Sequence, residues 1–453
     1  MRAMTEPRIS SPGAREAIAA LVDDFQALDG PVSGDPLGWP GYPEQLERAR
    51  ESSGEDESVV TGRARLGGEP LVVIALDFRF MGGSMGAATG TRMVRAFDEA
   101  RAQRCPVVSL IASGGARMQE GMCSLVQMQR IAAAQARARS EGIAHIAVLR
   151  HPTTGGVWAA LGSVADIVYA LPEATVAFAG PRVRGAAGAR EPEFTAEGQH
   201  GAGAVDRVLG EDELRHELAL AVALLTPYEP GPFEPADVPA ALASDRYDGA
   251  ASAWEHVLHA RRPERPRAAR YLDAYFEARV ELSGDRAGGA DPEMLCGFGR
   301  RGERTIAYAA QTGGATGPAG FRAASRLLDL AARLHLPVLT LIDTPGAAND
   351  AAAERGAVGT AIGELFQRVA ASPVPITSLV IGEGGSGGAL ALASPERLWI
   401  APEAYFAVIA PEGAAAILAR DRAEAPELAG RMRLLPGDLL RLGIVDGVAR
   451  SER

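Results

Sequence analysis

The sequence contains no lysine: all 46 of its basic residues are arginine. No cofactor can therefore be held as a Schiff base or amide on a lysine of this chain, and the lysine of a Walker-type phosphate loop is missing. Cysteine is nearly as scarce. Cys105, Cys123 and Cys296 stand far apart without metal-ligand spacing, so free thiols in a reducing compartment and no metal site are expected. Aromatic residues amount to 5% against 53 glycines, which favours sites built from glycine turns over aromatic-lined pockets. An excess of positive charge is lacking too. The net charge of −11 argues against a nucleic-acid or anionic-membrane surface. No apolar run approaches the roughly 20 residues of a membrane span, and no basic-then-apolar leader pattern opens the chain, so a cytoplasmic protein is expected.

What is present reads as a globular α/β protein. At 453 residues, 47% hydrophobic and 23% charged, two to three domains of about 150 residues each are expected. Residues 1–55, with an amphipathic stretch from Ala14 to Leu28 and a Gly/Pro-rich segment from Gly30 to Tyr42, read as an arm. Apolar, β-branched runs at 71–78, 106–112 and 143–149 predict strands, and 3.6-residue periodicity predicts helices at about 86–103 and 119–140. A polar stretch follows at about 182–203. Residues 211–290, with Pro-rich pieces such as Pro227–Pro232, read as a connector with helices.

The pattern then returns. Val338–Asp343 echoes Val107–Ala112, each run preceded by a proline, Pro106 and Pro337, at an offset of 231. Pro402–Pro411 echoes Pro172–Pro181 at 230, and the turn Gly387-Gly388 echoes Gly155-Gly156 at 232. Agreement within two residues across three segments indicates a tandem duplication of one α/β unit with mainly parallel strands.

Each half carries two glycine-rich turns placed after a buried strand and before a helix. In the first half these are Ser113-Gly114-Gly115-Ala116-Arg117 and Pro152–Gly156; in the second, Thr344-Pro345-Gly346-Ala347 and Gly382–Ala389. Such turns can aim backbone N–H groups outward at a helix start, as a developing oxyanion requires. One such turn alone is usually only a connector, but four in register point to paired pockets. Other signals are weak. Asp343 and Glu383 read as caps more than acids. His145, His151, His200 and His335 lie in no catalytic pattern. Gly384-Gly-Ser386-Gly-Gly388 matches a nucleophile elbow only because glycines crowd it, and Gly82-Gly-Ser-Met-Gly86 is a phosphate-like cradle without a lysine.

Phe78–Gly86, Ala112–Gly121, Pro152–Val157 and Phe178–Arg182 resemble the β subunit of bacterial acetyl-CoA carboxylase carboxyltransferase. Glu281–Arg286, Asp343–Ala347, Glu354–Gly356, Gly382–Leu390 and Pro411–Gly413 resemble its α subunit. The chain resembles a fusion of the two, with a β-like domain at 56–225, a connector at 226–275 and an α-like domain at 276–453. The resemblance implies tandem crotonase-like domains, each a β-β-α superhelix. It implies an acyl-CoA on the first half facing carboxybiotin on the second, commonly across a dimer interface, in a homodimer or larger assembly.

Carried over by position, Gly114 and Gly115 would hold the thioester oxygen, while Gly388 and Ala389 would hold the biotin ureido oxygen. Gly82, Gly83, Ser84, Ser113, Arg117, Gly155, Gly156, Gly346, Gly384, Gly385 and Gly387 would line the two pockets. Without lysine, biotin must arrive on a biotin carboxyl carrier protein served by a biotin carboxylase. No side-chain base and no metal are implied, and no zinc ribbon is expected because no cysteine precedes Cys105. The segment between Arg182 and Phe194 departs from the family pattern beside the CoA side, which leaves the acyl group open. A decarboxylase of malonyl-type thioesters and a non-catalytic scaffold are the alternatives.

Overall fold

A computed structural model describes residues 12–180, 191–226, 234–243 and 252–452. The first eleven residues, Pro227–Pro232, Pro181, and the part of the divergent segment from Arg182 to Arg190 lie outside the described residues. The chain divides into two compact units, Met1–Glu229 and Pro230–Arg453.

The first unit is built on a sheet of β1 (Asp24–Ala27), β2 (Val59–Leu66), β3 (Glu69–Leu76), β4 (Val107–Ser113), β5 (His145–Thr154), β6 (Ile167–Ala170) and β8 (Arg207–Val208), in that spatial order, with β7 (Val176–Ala177) branching from β5. The first three strands pair antiparallel and the rest parallel. Every residue of β4 is buried, which is why Val-Val-Ser-Leu-Ile-Ala reads as an unbroken apolar run where an alternating strand would show polar residues. The helices of the unit include α1 (Ala14–Leu21), α2 (Tyr42–Ser53), α3 (Ala87–Gln103) and α4 (Gln127–Ser140), with a short α5 (Gly155–Val157) that continues as a π turn through Trp158–Gly162.

Helix α3 starts where Gly86 N–H donates to the Thr89 hydroxyl at 2.9 Å. It buries Met93, Ala96, Phe97 and Ala100 at helical spacing against β3 and β4, in a core that also takes Ile111, Ile131 and Leu149. Full burial of Met93 and Phe97 contributes about 1.5–3 kcal/mol each. The periodic stretch expected as one helix at 119–140 is broken at Gly121, where φ is 52°, and again at Val126 after a short helical turn at Met122–Leu125, so that α4 begins at Gln127.

The second unit repeats the plan with β10 (Ala278–Leu282), β11 (Met294–Arg301), β12 (Arg304–Gln311), β13 (Val338–Thr344), β14 (Ile376–Gly385), β15 (Leu398–Ile400) and β17 (Gly447–Val448), with β16 (Tyr405–Ala407) on β14. A small sheet pairs β9 (Ala241–Leu242) with β18 (Ser451–Glu452). Its helices include α6 (Pro318–Arg333), α7 (Val358–Ala370) and α8 (Ser386–Leu390). Val107 pairs with His145 as Val338 pairs with Ile376, both partners 231 residues on.

Two expected boundaries differ. The stretch expected as an arm joins the first unit from Ala14 onward: β1 pairs with β2, and Tyr42 of α2 is fully buried. Residues Ala253–Ala260 of the expected connector pack in the second unit, where Val257 and Ala260 share a core with Tyr405 and Leu434.

Candidate functional site

A bulge between Ile111 and Ser113 ends β4, and an equivalent bulge between Ile342 and Thr344 ends β13. Each turn beyond is held the same way. Ser113 Oγ donates to the Gly83 carbonyl at 2.6 Å, and Gly115 N–H turns back to Ser113 Oγ at 3.1 Å. Met85 N–H donates to the Gly115 carbonyl and Arg117 N–H to the Met85 carbonyl. In the second unit Thr344 Oγ1 donates to the Gly314 carbonyl at 2.8 Å, Gly346 N–H meets Thr344 Oγ1 at 3.1 Å, and Ala348 N–H reaches the Thr316 carbonyl. Each of these second-unit residues lies 231 positions after its counterpart. The latch of three shared hydrogen bonds is therefore one device made twice, with serine in one copy and threonine in the other.

The latch decides which amides are free. Gly114 N–H is committed to the Gly82 carbonyl at 2.8 Å, and Pro345 at the matching position has no N–H at all. The Gly115 amide faces its own Ser113 hydroxyl. Both amides of the pair expected to hold the thioester oxygen are thus already engaged, Gly114 with Gly82 and Gly115 with Ser113. Segment Gly82–Ser84 serves the turn as well: its carbonyls accept from Gly114, Ser113 and Arg117, and a Cβ on Gly83 would stand 2.1 Å from the Ala112 carbonyl oxygen.

The second turn of each unit lies against the first, backbone to backbone. A Cβ on Gly155 would meet Gly115 Cα at 2.9 Å; one on Gly385 would meet the Pro345 carbonyl oxygen at 2.1 Å; one on Gly388 would meet Ala347 N at 2.3 Å. Gly384 is a ladder residue whose Cβ would reach Phe406 at 2.7 Å. Helix α5 opens at Gly155 (φ 70°) and α8 at Ser386 (φ 56°), again 231 apart. The sequence pairing of Gly155-Gly156 with Gly387-Gly388 is therefore one residue late. The matched pairs are Gly155 with Ser386 and Gly156 with Gly387.

A helix's first turn leaves its N–H groups without intrahelical acceptors, and the fourth helical residue is the first to find one. In α8 that residue is Ala389, which is fully buried, and Gly388 is buried against Ala347 with its carbonyl accepting from Gln311 at 3.0 Å. Ser386 is exposed and Gly387 half-buried, with nothing within 4 Å of a Cβ placed there. The first-turn residues with accessible surface are accordingly Gly155 in α5 and Ser386-Gly387 in α8, whereas Gly156 is buried beside Met128. Ser386 went unselected in the sequence because the tract of glycines around it blurs the register.

Arg117, expected in a pocket, has no exposed surface. Its guanidinium meets Glu57 at 2.5 Å, Glu120 at 3.2 Å, Ser33 at 2.6 Å and the Ser84 carbonyl at 2.7 Å, beneath the Phe80 ring. Burial alone would raise the Glu57 carboxyl, but the charge and hydrogen bonds of Arg117 carry it below the ordinary range. Asp343 is likewise structural, fully buried between Arg265 and Arg267 and accepting the Glu383 amide at 3.1 Å. Glu383 receives the Tyr405 hydroxyl at 2.5 Å and Arg261 at 3.3 Å. His145 sits in the core between Ser109 and Gln135, where burial depresses it to about 4. Burial pushes the Cys105 thiol up to about 11 and the Cys296 thiol to about 12, so neither is poised as a nucleophile.

The sequence model of a family described as acetyl co-enzyme A carboxylase carboxyltransferase-like matches residues 240–452. The acetyl-coenzyme A carboxylase carboxyl transferase subunits beta/alpha of Salinispora arenicola are 42% identical over 459 residues, spanning 95% of this chain and 81% of that one. The probable biotin-dependent acyl-coenzyme A carboxylase beta3 subunit of Mycobacterium tuberculosis is 38% identical over 428 residues, covering 91% and 84%. Among solved structures, the transcarboxylase 12S hexamer with methylmalonyl-coenzyme A and methylmalonic acid bound aligns with a TM-score of 0.77 at 21% identity, over 97% of this chain and 86% of that one. That last likeness is one of fold, and it agrees with the crotonase-like superhelix in each unit. With a relative 42% identical across 95% of its length, the chain belongs to the acetyl-CoA carboxylase carboxyltransferase family.

Proposed function

We propose that this protein moves a carboxyl group from carboxybiotin, borne on a separate carrier protein, to the α-carbon of an acyl-CoA such as acetyl-CoA. The observation that carries this reading is the duplicated latch: two turns of the same build, each set against the first turn of a helix. The start of α5 at Gly155 takes the thioester oxygen and stabilises the charge that develops there when the α-proton leaves. The start of α8 at Ser386-Gly387 takes the ureido oxygen; the open space over Gly387 fits a flat, bulky group approaching the main chain. When bound, carboxybiotin supplies the carboxyl group and a ureido nitrogen able to accept the proton. The protein's part is to place two oxygens and steady their charge, for which neither a histidine dyad nor a thiolate is required.

The absence of lysine supports a separate biotin carrier, with a biotin carboxylase to charge it. Exposed Met118 and Met122 beside the first turn, 76% and 65% accessible, support assembly into a dimer or larger homo-oligomer that covers them. The free thiols support a reducing, cytoplasmic setting.

The test is a panel of acetyl-, propionyl-, butyryl- and longer acyl-CoAs incubated with carboxylated biotin carrier, with products weighed by mass spectrometry. Carboxylated acyl-CoA formed only in the presence of charged carrier is the expected result. Loss of CO2 from malonyl-type thioesters with no carrier-dependent transfer would instead establish the decarboxylase.

A further inference from the structure

Helices α4 and α7 keep one register through the duplication. Gln127, Ala134 and Ala138 are buried in the first, and Val358, Leu365 and Val369, each 231 residues later, are buried in the second. Their second residues differ sharply: Met128 in α4, Gly359 in α7. The half-buried Met128 packs partly on the core and reaches over the start of α5. A Cβ on Gly156 would stand 1.8 Å from Met128 Cε and 2.5 Å from Sδ. In the second unit a Cβ on Gly359 meets nothing within 4 Å, and neither does one on Gly387. The two matched helix starts thus differ in one respect: a thioether fills the space beside Gly156, and the corresponding space beside Gly387 is open.

We propose that Met128, packed beside Gly156, is a specificity-determining residue that limits the group attached to the α-carbon of the acyl thioester held at Gly155. The proposal deepens the carboxyltransferase reading and rests on it. The asymmetry sorts the two sites by size: a small acyl group where Met128 overhangs, and a fused-ring ureido group where glycine leaves room. An unbranched thioether fills such a space closely and yields to small changes, but an added methyl or ethyl on the substrate must displace it. Each methylene accommodated or refused in an apolar pocket changes relative rates by about 10- to 200-fold.

The experiment compares kcat/KM for acetyl-, propionyl- and butyryl-CoA, with carboxylated carrier, in the intact protein and in Met128→Ala, Met128→Leu and Gly359→Met. The unaltered enzyme is expected to favour acetyl-CoA. Met128→Ala should raise the butyryl-to-acetyl ratio by about 10-fold or more, while Met128→Leu, of similar volume, should keep the preference near that of the parent. Gly359→Met should slow transfer to all three substrates alike without moving their ratio. An active Met128→Ala enzyme with an unshifted ratio, or a parent enzyme that favours butyryl-CoA, overturns the assignment of Met128 alone. A parent enzyme inert toward every acyl-CoA overturns the carboxyltransferase reading and this one with it. Should Met128→Ala not fold, the Leu variant decides: its preference must stay with acetyl-CoA.

Discussion

Gly387 and Gly388 are neighbours with opposite prospects. A side chain on Gly387 enters open space over the α8 amides, whereas one on Gly388 collides with Ala347 N at 2.3 Å. Gly387→Val is therefore expected to fold with an unchanged melting temperature yet lose about 100-fold or more in transfer, the scale of a lost oxyanion donor. Gly388→Val should fail by destabilisation, visible in thermal unfolding before any assay. Equal thermal stability of the two variants would contradict the packing described. Ser386 poses a separate question, since a serine at φ 56° after a strand looks like an activated nucleophile. The matching residue is Gly155 at φ 70°, so the conformation belongs to the turn and owes nothing to a hydroxyl. Ser386→Gly should keep transfer and gain up to about 1 kcal/mol as the left-handed strain is relieved. Abolished activity in that variant would mean covalent chemistry.

At the level of elements, the first turn is tied to α2 through one cation. Arg117 joins the turn to Glu57, to Tyr42 of α2 and to Glu120, whose other oxygen accepts the Ala87 amide at the start of α3. Arg117→Met would strand two buried carboxylates and is expected to cost about 3–5 kcal/mol in urea unfolding. The triple change that also makes Glu57→Gln and Glu120→Gln should recover most of it, and no recovery would show that the loss is one of shape alone. This network also marks the boundary of what the sequence discloses. The echo of Pro106–Ala112 in Pro337–Asp343 made the duplication readable, and the glycine turns made the site region readable, because both are local signals. Which amides stay free depended on Gly82, Gly83 and Gly314, brought in by tertiary pairing. Arg117 read as a pocket residue because its carboxylate partner Glu57 lies 60 positions away, next to a segment whose Gly/Pro content resembles a free arm.

For the molecule as a whole, acid should weaken the fold in two stages. His145 is held neutral, depressed from 6.5 to about 4, so below pH 6.5 the unfolded chain binds a proton that the folded chain refuses. Stability should fall between about pH 6.5 and 4 on this account and then level. Glu57, carried below the ordinary carboxylate range, contributes stability that is present above it and lost as pH falls through its lowered folded value. Denaturant midpoints measured from pH 8 to 3 check this: a flat profile from 7 to 4.5 would refute the His145 stage. The contact of turn on turn has a further consequence. Where Gly155 rests on Gly115 and Gly385 on Pro345, main chain touches main chain with no side chain interposed. Point substitution can break such a seam but has little means of reshaping it, and a single inserted or deleted residue on either side would slide the two edges out of register. Mutational libraries seeking new substrates should therefore recover almost nothing from the seams, and should find their winners among the overhanging positions one helix away.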